Sequence, residues 1–70
     1  ISSPTPQLSN RELEILELLA QGLTNRELAS ALFISEATVK THLVHIFDKL
    51  GVDNRTAAIA TAIAQRVIRR

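Results

Sequence analysis

His42, His45 and Asp48 are the residues whose types first suggest chemistry, since all three can ligate a metal. They stand at i, i+3 and i+6, and the outer pair of that spacing is poorly aligned on a helix. A stable site also needs further ligands and hydrogen-bonded support behind them. No metal site is expected. The chain has no cysteine, which removes disulfides and cysteine-based zinc sites. It has no glycine-rich phosphate loop and no nucleophile with a matched base and orienting group, so neither an enzyme nor a cofactor is expected. At 70 residues it is one domain at most, with room for only a shallow cleft.

The basic residues carry more information. Net charge is only +1, but it is unevenly spread. Up to residue 36, Arg11 and Arg26 stand against Glu12, Glu14, Glu17, Glu27 and Glu36. From residue 37 onward, Lys40, Lys49, Arg55, Arg66, Arg69 and Arg70 stand against Asp48 and Asp53 alone. The second half is where a polyanion would be met. Within it, Val39, Leu43, Ile46, Phe47 and Leu50 recur at i, i+4, i+7, i+8 and i+11, the stripe of a helix packed on a core. The opposite side carries Ala37, Lys40, Thr41, Val44 and Asp48, with His42 and His45 on the flanks. A side that is small, uncharged or singly basic can enter the DNA major groove, which admits one helix.

Three helix starts share one grammar. Ser9 and Glu12 form a capping box, with Leu8 and Leu13 as its hydrophobic staple; Thr24 and Glu27, with Leu23 and Leu28, repeat it. Ser35 keeps the cap and Ile34 with Val39 keeps the staple, but Thr38 stands where the box would place a glutamate. Gly22 and Gly51 suit the left-handed position just past a helix. The expected helices are 9–20, 24–31, 36–49 and 54–67, in an all-α, four-helix domain over residues 8–70. The link from the second to the third helix is so short that the pair reads as a helix-turn-helix. Residues 1–7, with two prolines and three hydroxyl residues, read as a linker or tail, and a linker there suggests a preceding domain.

The remaining faces are set by spacing. Leu13, Leu16, Leu19 and Ala20 are the expected inward stripe of the first helix, and Leu28, Ala29 and Leu32 that of the second. The fourth helix is apolar nearly all round. Ala60, Ile63 and Val67 are therefore expected on a surface covered by a second copy of the chain. Arg55 lies in that helix's first turn, where the helix dipole disfavours a cation, which suggests an anionic partner. No apolar run approaches the ~20 residues that span a bilayer, so no membrane partner is expected. On the residues alone a second function stays open, a helical protein-interaction module acting through the fourth helix.

Taken together, Leu8-Ser9-x-Arg11-Glu12, Gly22-Leu23-Thr24-Asn25-Arg26-Glu27-Leu28-Ala29, Leu32-Phe33-Ile34-Ser35-Glu36-x-Thr38-Val39-Lys40-Thr41-His42, Lys49-Leu50-Gly51-Val52 and Asn54-Arg55-Thr56 resemble the LuxR/NarL-type, or GerE-type, bacterial DNA-binding domain. The resemblance implies a transcription regulator that binds inverted-repeat double-stranded DNA as a homodimer, in the bacterial cytoplasm and on the nucleoid. It implies a C-terminal position behind a receiver or sensor domain. It places Lys40, Thr41 and Val44 at base-reading positions. Thr24, Asn25, Ser35, Thr38, Lys49 and Arg55 match positions that hold the sugar-phosphate backbone. Many relatives carry a polar residue where Val44 stands; a branched apolar side chain can contact a thymine methyl instead.

Overall fold

The computed structural model describes residues 8–66 and 68. Among them are four helices, α1 (Asn10–Ala20), α2 (Asn25–Leu32), α3 (Glu36–Leu50) and α4 (Arg55–Ala64). The linker assigned to residues 1–7 and the dimer position assigned to Val67 lie outside the described residues.

Every helix starts on a side-chain oxygen that accepts an otherwise orphaned backbone N–H. Ser9 and Glu12 close a reciprocal box, with Glu12 N–H donating to Ser9 Oγ at 3.1 Å and Ser9 N–H to Glu12 Oε1 at 2.8 Å. Thr24 and Glu27 repeat those bonds at 3.1 and 2.8 Å. At α3 the Thr38 N–H donates to Ser35 Oγ at 3.1 Å, and the two hydroxyls bond to each other at 2.9 Å. Asn54 caps α4 by accepting from Ala57 N–H at 2.8 Å. The staple residues Leu8, Leu23 and Ile34 are half-buried against the core.

The helix ends hold two features that residue types do not announce. Gly22 and Gly51 take the left-handed conformation at φ 96° and 71°, as expected from glycine. Phe33 and Arg66 take it too, both at φ 58°. Phe33 closes α2, with Ile34 N–H donating to Ala29 C=O at 3.0 Å, while its own ring is 94% exposed. A left-handed residue with a Cβ costs about 1 kcal/mol, and an exposed ring returns little of it. Phe33→Gly is therefore expected to raise stability by about 0.5–1 kcal/mol in denaturant unfolding. A destabilised variant would mean that the ring makes a contact in the folded state.

Arg66 corrects the expected fourth helix. The spacing predicts a helix on to residue 67. Instead α4 stops at Ala64, and Arg66 reverses the chain. Ile68 then folds back to 4% exposure, its N–H donating to Ala62 C=O at 3.4 Å. Burying one such side chain is worth roughly 1.5–3 kcal/mol, more than three further exposed helical residues contribute.

A single core joins the helices. Leu28, Ala29 and Leu32 of α2, with Val39, Leu43, Ile46 and Leu50 of α3, are buried as their spacing predicts, and Phe47 is half-buried. Helix α4 contributes Ala58 and Ala62. In α1 the expected stripe shifts. Ile15, Leu16 and Leu19 are buried, whereas Leu13 and Ala20 are only half-buried. Helix α1 packs on all three other helices, as does α3, while α2 and α4 do not touch each other. So α1 and α3 form the central pair, and α1 needs a wider buried face than a single stripe supplies.

Candidate nucleic-acid interface

The packing leaves α3 with two unlike sides. Its inner side is locked among α1, α2 and α4. On its outer side Ala37, Lys40, Thr41, Val44 and Asp48 are all exposed. Ala37, Lys40, Thr41 and Val44 lie at i, i+3, i+4 and i+7, so they share one face. Lys40 forms no ion pair among the described residues, so its charge is free for a partner. The Thr41 hydroxyl donates to Ala37 C=O at 3.1 Å. His45 is exposed and His42 half-buried, on the flanks of this face.

The cap residues keep hydrogen-bonding capacity. The Thr24 hydroxyl accepts from Glu27 N–H and retains its own proton to donate. Ser35 and Thr38 spend one hydroxyl proton on each other, which leaves one for a partner. Asn25 is half-buried at the first position of α2. Arg55, at the first position of α4, is half-buried and makes no ion pair among the described residues. Among the described residues no acid therefore accounts for a cation in that unfavourable place.

Lys49 is differently placed. Its Nζ lies 2.7 Å from Glu12 Oε1, and Glu12 is only 6% exposed. The pair ties the start of α1 to the end of α3 across 37 residues of chain. By sequence Glu12 is a capping residue and Lys49 a surface cation; nothing local links positions so far apart. Burial alone would raise the Glu12 carboxyl. The hydrogen bond and charge of Lys49, with the Ser9 N–H and hydroxyl, outweigh that and hold it below its ordinary value of 4.5. A carboxyl depressed in the fold stabilises it above the ordinary glutamate range, and that contribution is lost as pH falls through the folded value. Acidification through the carboxylate range should therefore weaken the wild type, and Glu12→Gln should weaken less steeply. Urea unfolding at a series of pH values measures both; parallel profiles would remove Glu12 from the acid response.

On the fourth helix, Ala60 is exposed and Ile63 half-buried against the core. Part of the apolar excess of α4 is thus absorbed within the domain. Among the described residues no cluster of three or more His, Asp or Glu side chains could hold a metal. None of the described helices is long and apolar enough to cross a membrane.

Two short helices joined by the turn Phe33–Ser35, the second buried inside and open outside, define a helix-turn-helix DNA-binding domain. Residues 6–62 match the family described as bacterial regulatory proteins, luxR family, and the chain belongs to that family. It is 51% identical over 61 residues to the CsgBAC operon transcriptional regulatory protein of Escherichia coli (strain K12), covering 87% of this chain and 28% of that protein. It is 51% identical over 59 residues to the transcriptional regulatory protein LiaR of Bacillus subtilis (strain 168), covering 84% of this chain and 28% of that one. Among solved structures, the response regulator ChrA of a heme-sensing two-component system superposes at a TM-score of 0.87 with 69% identity, over 97% of this chain and 34% of that one. The Vibrio cholera protein VqmA, solved with ligand and DNA, superposes at 0.80 with 29% identity, over 94% of this chain and 28% of that one. The chain thus spans less than a third of the length of such curated relatives, 28% for both named here. The family consists of transcription regulators, not enzymes, and it sets aside the reading of α4 as the whole function.

Proposed function

We propose that this chain is the C-terminal effector domain of a bacterial response regulator and binds double-stranded DNA sequence-specifically, with α3 in the major groove. One observation carries the reading: Lys40 stands exposed and unpaired, among the described residues, on a face of α3 whose opposite side is buried. A lysine so placed donates to guanine O6 and N7, and Thr41 and Val44 meet neighbouring base edges. Thr24, Asn25, Ser35, Thr38 and Arg55 hold phosphates and set the register. Lys49 adds least to that grip, because Glu12 already holds its charge.

Helix α4 pairs two copies on an inverted repeat through Ala60 and Ile63. The exposed Ala60 supports this, since a small residue lets two helices approach closely. An N-terminal receiver domain supplies the missing length, in keeping with relatives such as the nitrate/nitrite response regulator protein NarP. The whole protein works in the cytoplasm, on the nucleoid. Fluorescence anisotropy of labelled duplexes across a salt series tests the DNA reading. The logarithm of affinity should fall linearly with the logarithm of salt, with a slope near −0.9 per phosphate neutralised; a flat response would contradict it. For the pairing, Ala60→Glu should give a monomer by sedimentation in the full-length regulator bound to DNA. An unchanged dimer would remove α4 from the contact.

A further inference from the structure

Of the two large apolar side chains left in water among the described residues, Phe33 has nothing around it that indicates an occupant, whereas Val44, 63% exposed, lies within a pattern. A single exposed valine is ordinary on a protein surface. Val44, however, is three residues after Thr41 and seven after Ala37, on the same face of α3. The Thr41 hydroxyl has given its proton to Ala37 C=O. What Thr41 has left for a ligand is a methyl group and acceptor lone pairs. Ala37, Thr41 and Val44 therefore form a strip of methyl groups that offers no side-chain hydrogen-bond donor. Among the described residues Lys40, between them, is the one side-chain donor on this part of the face. Asp48 is the next polar group along it.

The major-groove edge that suits such a strip is the thymine edge, which alone among the bases bears a 5-methyl group. We infer that Val44, with Thr41 and Ala37 beside it, reads thymine 5-methyl groups, and that Lys40 reads a guanine within the same short stretch. The inference rests on the proposed placement of α3 in the major groove. It names the chemical group that sets specificity at Val44. Seven residues of helix rise about 10 Å, close to three base steps, so the guanine and the thymines read belong within about three base pairs of each other.

The test uses the duplex that the protein selects from random DNA, and the same duplex with uracil in place of each half-site thymine. Uracil keeps O4 and the pairing edge and removes only the methyl. The wild type should bind the uracil duplex more weakly, by about fourfold per methyl in contact. Val44→Ala should fold normally, because the side chain is exposed and alanine favours helix. This variant should bind the thymine duplex about as weakly as the wild type binds uracil, and lose less on the exchange. Equal wild-type affinity for the two duplexes, with Lys40→Ala still weakened, would overturn the methyl reading and leave DNA recognition standing. An equal uracil penalty in wild type and Val44→Ala would overturn the assignment to Val44. Failure to select any duplex would bring down DNA recognition and this inference with it.

Discussion

Ile46→Ala should lower the melting temperature by about 10 °C or more. Ile46 is 0% exposed on the inner side of α3, where that helix meets the rest of the core. Truncating such a residue costs about 2–5 kcal/mol, because lost transfer energy adds to the cavity left behind. A chain of 70 residues holds roughly 4–10 kcal/mol in all. Each kcal/mol shifts the melting point of a domain this small by about 4–8 °C. DNA affinity should fall with the folded fraction, without any change in base preference. Circular dichroism during heating measures the first effect, and a shift of only a degree or two would mean that α3 is not anchored as described.

Lys40→Ala should do the reverse, leaving the fold intact and weakening the preferred duplex by about 1–3 kcal/mol, roughly fivefold to 150-fold. Its side chain is exposed and pairs with no acid among the described residues, so its loss leaves no buried charge behind. A reader of guanine edges loses discrimination at one base pair, whereas a phosphate contact weakens all sequences alike. Competition with duplexes altered at single positions separates the two. Unchanged discrimination at every position would remove Lys40 from base reading.

The starts of the helices are legible because a cap is a local device. Ser9, Thr24 and Ser35 announce themselves by residue type and by the residues three or four positions later in the chain. The ends are legible only where glycine marks them. Phe33 and Arg66 adopt the same left-handed geometry with side chains that give no sign of it, so the early stop of α4 and the return of Ile68 escape a reading by residue type. The α1 face is ambiguous because Leu13, Ile15, Leu16, Leu18 and Leu19 are apolar on nearly every side, and periodicity cannot choose among them. Ile15 is selected by the side chains that pack around it. On the site, the outer face of α3 emerges from spacing alone. The engagement of Lys49 by Glu12 is a tertiary contact, and the spent proton of Thr41 depends on a rotamer; neither is written in the order of residues.

Selection of bound duplexes from a random DNA library at moderate salt tests the DNA-reading role of α3 most directly. An enriched inverted repeat is expected, its half-sites about one helical turn apart or a multiple of that, with a guanine near thymines in each half. No enrichment at any salt concentration would contradict the assignment of α3 as a DNA-reading helix.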